Sequence, residues 1–297
     1  MNYIKPYVDF LKKFIKPARP LRVVADCSDG TAGLVLKKLF AASRVRAKLV
    51  NARPDGRFPA HGPNPMAEGV LAGLKKTIIS AKADLGVIFD ADADRVFFVD
   101  DAGKEVPPDA AAALISKNFK GPVILDVRAG YLARELLAAP KKKIIETRVG
   151  HYFIKKLMVR HNVGFAAETS GHYYFAFPGG AYFDSAILAA IYMINAIAGL
   201  KEKRLSRWLA GLSCYYRSGE LNYEVEDKVK AMTAVEEKYK KEARKISKLD
   251  GLKMEFEKWW FVLRPSNTEN LLRLNLEAKS EKILKQMLRG ISGLISG

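Results

Sequence analysis

Apolar residues recur along the chain in two rhythms. Ile4, Val8, Leu11 and Ile15 stand at helical spacing, which predicts an amphipathic helix over residues 3–15. A short apolar run at 21–27 reads as a buried strand, 33–40 as a helix, 47–51 as a strand, 66–79 as a helix and 85–90 as a strand. This βαβαβ order predicts a mainly parallel sheet with helices on its faces. A second cycle follows: helix 110–116 with Asp109 as N-cap, strand 122–127, helix 131–138, strand 143–147, helix 152–159 and strand 163–167. Residues 185–198 are apolar nearly all round, the mark of a buried helix. After Cys214 the rhythm changes to strand 219–225, a long charged helix 228–246, strands 253–256, 259–263 and 271–277, and a last helix 280–295. The pattern predicts an α/β protein. Two consecutive α/β/α domains with mixed, mainly parallel sheets, over residues 1–102 and 103–212, precede a smaller α+β C-terminal domain over 213–297.

Composition narrows the class. A chain of 297 residues with 49% hydrophobic and 28% charged residues fits a soluble globular protein of two or three domains. The longest apolar stretch, 186–200, is too short for a membrane span and carries Asn195. Lys5, Lys12, Lys13 and Lys16 are scattered through the N-terminus with no signal-peptide core, so no membrane is expected and the cytoplasm is the expected compartment. The two cysteines, Cys27 and Cys214, lie far apart without metal-binding spacing, as reduced thiols do. A net charge of +18 could serve an anionic substrate, nucleic acid or an acidic protein. No basic stripe interleaved with aromatics is present, so nucleic acid is not an expected partner, and the lysines of 228–248 read as a solvated helix face.

The candidate chemistry lies in the connections. Asp90-Ala91-Asp92-Ala93-Asp94-Arg95 joins two strand-like runs, 85–89 and 96–99. Three carboxylates on alternate positions repel one another, and Mg²⁺, a hard cation that keeps positions for water and phosphate, offsets that repulsion. Arg95 adds a fork suited to a phosphate beside the metal. An ordinary acidic hairpin turn is the plainer reading. Arg264-Pro265-Ser266-Asn267-Thr268-Glu269, with Arg273 on the next strand, can cradle a phosphate or form a simple polar turn. Glu168-Thr169-Ser170-Gly171-His172 offers groups for sugar hydroxyls and proton transfer, but no Gly-x-Ser-x-Gly elbow of a Ser-His-Asp hydrolase. His151 opens a helix carrying Lys155 and Lys156, and Asp126-Val127-Arg128 ends a strand. Strand C-termini are where open α/β sheets place ligands, so these loops are expected to meet in one cleft.

Together these loops resemble the α-D-phosphohexomutase superfamily, especially its phosphomannomutase/phosphoglucomutase branch. The family metal loop Asp-Gly-Asp-Gly/Ala-Asp-Arg is matched by Asp90 to Arg95. The sugar loop Gly-Glu-x-Ser-Gly-His is matched by Glu168 to His172, and the phosphate loop Arg-Pro-Ser-x-Thr-Glu by Arg264 to Glu269. Phe58-Pro59 and Pro63-Asn64-Pro65 match the segment before the metal loop. The resemblance implies interconversion of hexose 1-phosphate and hexose 6-phosphate through a hexose 1,6-bisphosphate intermediate that also serves as activator. It implies Mg²⁺ on Asp90, Asp92 and Asp94, with Arg95 and His172 catalytic. Substrate would be bound by Arg128, His151, Glu168, Ser170, His172, Arg264, Ser266, Asn267, Thr268 and Arg273.

The departures bear on activity. The resemblance covers the second, third and fourth of four family domains. The Thr-Ala-Ser-His-Asn-Pro loop whose serine is phosphorylated has no match here, and Ser28 does not replace it. A phosphoserine domain is therefore expected from a separate polypeptide, or was lost upstream of this reading frame. Ala91 and Ala167 stand where the family usually has Gly, and Asn270 where Pro is common; a positive φ at Ala91 would be strained. Two alternatives remain open. One is a catalytically incomplete sugar-phosphate-binding or regulatory protein. The other is a phosphatase with Asp90 as nucleophile, since a strand followed by Asp-x-Asp also resembles haloacid-dehalogenase enzymes.

Overall fold

The computed structural model describes residues 3–139, 141–177, 179–266 and 269–296. The N-terminal unit runs α1 (Ile4–Leu11), β1 (Leu21–Asp26), α2 (Ala32–Ala41), β2 (Val45–Val50), α3 (Leu71–Ala81), β3 (Leu85–Phe89) and β4 (Val96–Asp100). Its sheet has the order β2-β1-β3-β4, with β1 parallel to β2 and β3 and the β3–β4 hairpin antiparallel. All of β3 is buried, as its unbroken apolar run requires of a strand covered on both faces.

The second unit runs α4 (Pro108–Ser116), β5 (Val123–Asp126), α5 (Tyr131–Ala138), β6 (Ile144–Thr147), α6 (His151–His161), β7 (Phe165–Ala167), β8 (Tyr173–Phe177), β9 (Ala181–Asp184), α7 (Ala186–Ala198) and α8 (Leu205–Ala210). Its sheet has the order β6-β5-β7-β8-β9, parallel around β5 and antiparallel from β7 to β9. The last unit is β10 (Tyr216–Glu224), α9 (Lys228–Tyr239), β11 (Lys245–Ser247), β12 (Leu252–Glu255), β13 (Trp259–Pro265), β14 (Leu271–Ala278) and α10 (Glu281–Ser296). Its antiparallel sheet has the order β10-β14-β13-β12-β11.

The first two units share one apolar core, in which Leu85 and Phe98 join Leu114 and Ile191. Helix α7, apolar on every side, lies between them, as its composition predicts. The C-terminal unit has a core of its own, including Val235, Phe261, Leu274 and Ile291. Among the described residues no helix is long and apolar enough to cross a membrane.

Several boundaries differ from the sequence reading. The predicted helix 228–246 stops at Tyr239, where its buried stripe of Ala231, Val235 and Tyr239 ends. Ile246 instead lies in the edge strand β11, opposite Met254. Helix α1 ends at Leu11, ahead of Pro17, which disfavours helix at the residue before it. The β8–β9 hairpin and α8 were not read from the sequence, and the aromatic run Tyr173-Tyr174-Phe175 that marks β8 is fully buried. Asp109 does not cap α4. The cap position is Pro107, and the buried Asp109 carboxylate accepts the Gly130 N–H at 3.1 Å and pairs with Arg217 from β10.

Candidate functional site

The acidic loop is the tip of the β3–β4 hairpin. One ligand oxygen from each of Asp90, Asp92 and Asp94 lies within 4.8 Å of the others. Asp90 is buried; its Oδ1 accepts the N–H groups of Asp94 and Arg95, both at 3.1 Å, and its Oδ2 accepts Arg95 Nε at 2.7 Å. Burial, and then the neighbouring Asp90, push the Asp94 carboxyl up to about 6. Three carboxylates whose oxygens lie this close are a donor set suited to a hard divalent cation, so the residues fit Mg²⁺. The anticipated strain at Ala91 is absent: Ala93 is the loop residue at positive φ, +63°. Ala91 is instead pressed from behind. A Cβ on Gly30 would stand 2.2 Å from the Ala91 carbonyl oxygen, which accepts the Thr31 N–H at 2.8 Å. Ser28 Oγ donates to the Phe89 carbonyl at 2.6 Å, so this serine braces the loop.

The β7–β8 turn, residues 168–172, sits directly on that hairpin. Arg95 and His172 form an antiparallel bridge, and Val96 N–H donates to Gly171 O at 3.0 Å. Gly171 has φ +92°, and a Cβ there would meet the Phe97 ring at 2.8 Å. His172 Nε2 lies 3.3 Å from Asp94, and its Nδ1 lies 3.1 Å from Ser170 Oγ. Glu168 is only 5% exposed; it accepts the Gly150 N–H at 2.9 Å and the Tyr174 hydroxyl at 2.6 Å. Burial, and then Glu168, raise the Tyr174 hydroxyl well above its ordinary value. Asp126 accepts the Thr169 N–H at 2.9 Å and Arg128 Nε at 2.9 Å. Burial pushes the Asp126 carboxyl up, but Arg128 and the N–H donors outweigh it and hold the carboxyl below its ordinary value.

The third loop follows β13. Arg264 pairs through β-sheet register with Arg273 on β14 and is 8% exposed. Its Nε donates to Asp250 at 2.9 Å, and the same carboxylate oxygen accepts the Val149 N–H at 3.1 Å. Arg264 Nη1 and Arg273 Nε are buried without a hydrogen-bond partner among the described residues. Donors left unpaired in a buried site favour an incoming acceptor. Lys228 braces the turn by donating to Ser266 O at 3.1 Å and Glu269 O at 2.6 Å, and Ser266 Oγ accepts the Glu269 N–H at 3.2 Å. Asn267 and Thr268 lie outside the described residues.

A path of polar contacts joins the three loops. It runs from Asp94 to His172 and Ser170, then from Ser170 to Arg128 Nη2 at 3.5 Å. Arg128 Nη1 lies 3.6 Å from Glu220, which lies 3.5 Å from Arg264 and 3.8 Å from Arg273. His151 is exposed at the start of α6, beside Gly150, and is not among the residues that this path joins. Glu220 and Asp250 escaped the sequence reading. Asp250-Gly251 signals only a turn, and Glu220 is one of two acids in a polar strand.

Comparison with known proteins identifies the family of the three units. The chain matches the family models for phosphoglucomutase/phosphomannomutase alpha/beta/alpha domain II over residues 5–103, alpha/beta/alpha domain III over 107–215 and the C-terminal domain over 220–292. It is 36% identical to a phosphomannomutase of Methanocaldococcus jannaschii, covering 100% of this chain and 66% of the relative. A phosphoglucomutase/phosphomannomutase family protein from Burkholderia thailandensis superposes with a TM-score of 0.87 at 25% identity, covering 100% of this chain and 65% of that one. The N-acetylphosphoglucosamine mutase of Aspergillus fumigatus, solved with GlcNAc-6P and magnesium, shares the fold with a TM-score of 0.71 at 16% identity, covering 99% and 65%. The chain thus spans just under two thirds of the length of these relatives.

Proposed function

The chain belongs to the phosphoglucomutase/phosphomannomutase family, and from that membership we propose that it is the metal-, sugar- and phosphate-binding part of a phosphohexomutase that interconverts hexose 1-phosphate and hexose 6-phosphate. The carrying observation is the path of polar contacts from Asp94 to Arg273, which links the three loops and supports a shared ligand site. Arg264, Ser266, Asn267, Thr268 and Arg273 hold the phosphate that does not react, and the unpaired N–H groups of Arg264 and Arg273 support that role. Glu168 and Ser170 recognise sugar hydroxyls, with Glu168 fixed by Gly150 and Tyr174. Arg128 and His151 complete the substrate surface. His172, poised between Ser170 and Asp94, moves a proton at Nε2. Arg95 spends Nε on Asp90 and turns its remaining N–H groups to the transferring phosphate.

Asp90, Asp92 and Asp94 would hold Mg²⁺, which when bound neutralises charge on a transferring phosphoryl group. Residues 1–297 contain no phosphoserine loop of the family type. The phosphoryl group therefore comes from hexose 1,6-bisphosphate or from a phosphoserine domain outside these residues, in the same polypeptide or a separate one. The two free cysteines fit a reducing compartment, and the proposal includes residence in the cytoplasm.

The test is ³¹P NMR of the chain with mannose 1-phosphate or glucose 1-phosphate, Mg²⁺ and a trace of the matching 1,6-bisphosphate. The expected result is tight hexose-phosphate binding with slow appearance of 6-phosphate that rises when a phosphoserine domain is added. Binding that ignores the phosphate, comparing glucose 6-phosphate with glucose, overturns the reading. Release of inorganic phosphate that disappears in Asp90→Asn would install the phosphatase instead.

A further inference from the structure

We propose that Glu220 is a displaceable placeholder for substrate phosphate: a carboxylate of the chain that occupies the arginine cluster until a phosphate expels it. The inference rests on the reading of Arg264 and Arg273 as a phosphate site. Glu220 stands among three guanidinium groups drawn from two sheets. Its Oε2 lies 3.5 Å from Arg264 Nη1 and 3.6 Å from Arg128 Nη1, and its Oε1 lies 3.8 Å from Arg273 Nη1. Each arginine also has an acid of its own at closer range. Asp250 holds Arg264 at 2.9 Å, Asp126 holds Arg128 at 2.9 Å and Glu269 holds Arg273 at 3.2 Å. Glu220 is the acid that all three share.

That sharing leaves the arginines incompletely satisfied. At 3.5 to 3.8 Å the contacts are Coulombic, and among the described residues no hydrogen bond to the Glu220 carboxylate accompanies them. Arg264 Nη1 and Arg273 Nε stay buried and unpaired. A carboxylate brings one charge and two acceptor oxygens to the cluster; a phosphate brings up to two charges and three oxygens, and matches the guanidinium fork. Asp250, Asp126 and Glu269 already pair with one arginine each, so what stays open is hydrogen bonding, at Arg264 Nη1 and Arg273 Nε. A tethered carboxylate lies near those arginines without matching what a phosphate offers.

Glu220 is also free to leave. Its side chain is 29% exposed, where the acids dedicated to Arg264 and Arg128 are 13% and 0% exposed. The register of β10 on β14 shifts between Arg217 and Glu220, so the ladder is irregular there. Glu220 further borders a cavity of about 640 Å³, lined also by Phe97, Thr169 and Trp260, which gives its side chain room to turn. A phosphate would compete with the Glu220 carboxylate for the same guanidinium groups, so phosphate entry and Glu220 departure are one event. The carboxylate keeps the arginines aligned in the empty site and lowers the affinity for product, which favours release.

The test compares wild type, Glu220→Gln and the double variant Glu220→Gln/Arg264→Ala by titration calorimetry with glucose 6-phosphate and with inorganic phosphate at fixed ionic strength. Glu220→Gln keeps the side chain's shape and removes its charge. Its affinity for both probes is expected to rise about tenfold, the size of one screened charge–charge interaction. The gain should vanish in the double variant. Equal or weaker binding by Glu220→Gln, while wild type still prefers glucose 6-phosphate over glucose, overturns the placeholder and leaves the mutase reading standing. A gain that survives Arg264→Ala also overturns it, because the displaced charge would then act elsewhere. Indifference to phosphate in both wild type and Glu220→Gln removes the phosphate site itself, and the placeholder with it.

Discussion

Single residues carry much of the site's shape through contacts that leave no trace in a motif. Gly30 is needed because the Ala91 carbonyl lies where its Cβ would be. Gly30→Ala should push the acidic loop outward and cost about 1–3 kcal/mol. Urea unfolding would register that loss, and Mn²⁺ binding followed by electron paramagnetic resonance should weaken in the same variant. The two thiols give a simpler check. Cys27 is buried, and desolvation followed by the charge of Asp26 pushes its thiol up to about 12, whereas Cys214 is exposed. A disulfide reagent at pH 8 should modify one thiol per native chain and two after unfolding; rapid reaction of both in the folded protein would contradict the burial. Asp126 supplies the pH response. Its carboxyl is held below the unfolded value of 3.8, so its stabilising contribution is complete above that pH and is lost as pH falls through the lower folded value. Asp126→Asn should flatten the acid limb of the stability curve, measured by thermal melts between pH 2 and 5. At this scale the sequence displayed the candidate metal-binding set Asp90, Asp92 and Asp94 plainly, because their spacing is local. It hid Glu220, Asp250 and Gly30, whose partners are remote in the chain.

Elements were legible where one buried face imposed a period. Strands β1, β3 and β5 and helix α7 announce themselves, since their burial is continuous or complete. The end of α9 did not, because charged residues continue in helical rhythm after the buried stripe has stopped at Tyr239. The β8–β9 hairpin escaped for the opposite reason: β8 is rich in aromatics but β9 is largely exposed and lacks a clear period. The contact that matters most between elements is the Arg95–His172 bridge, which seats the 168–172 turn on the acidic hairpin. Gly171→Ala should unseat it, since the new methyl meets the Phe97 ring and the backbone already stands at φ +92°. A loss of about 1–3 kcal/mol is expected, together with weaker hexose-phosphate binding. A calorimetric titration that finds affinity unchanged in the folded variant would show that the sugar loop does not depend on this seat.

The whole molecule is held together by buried ion pairs at the seam between the second and third sheets. Glu277 is 1% exposed and accepts Trp260 Nε1 at 2.6 Å, the Tyr131 N–H at 2.7 Å and Arg217 Nε at 2.8 Å. Nearby, Arg134 makes a two-pronged pair with Glu255, at 2.7 and 2.8 Å, and the buried Lys253 pairs with Glu146. Removing one partner of such a network leaves several groups unpaired. Glu277→Ala should therefore destabilise by about 3–5 kcal/mol, readable as a lowered urea midpoint. None of this seam was visible in the sequence. Domain order follows from alternation of periods along the chain, whereas Tyr131 and Glu277 are 146 positions apart and nothing local marks them as partners.

That separation has a consequence in time. Asp109 sits inside the second unit, where burial raises its carboxyl and Arg217 is the main opposing influence. Arg217 is 108 positions further along the chain. At ribosomal speeds of about 5–20 residues per second, it is made roughly 5–20 s after Asp109. The second unit is itself completed only at Ala210, a few residues before Arg217, so through that whole interval it is assembled without the cation that its buried acid requires. It can close over a protonated carboxyl or leave that corner hydrated, and the final packing around α4 waits for β10. The last sheet thus supplies the counter-charge that completes the unit before it.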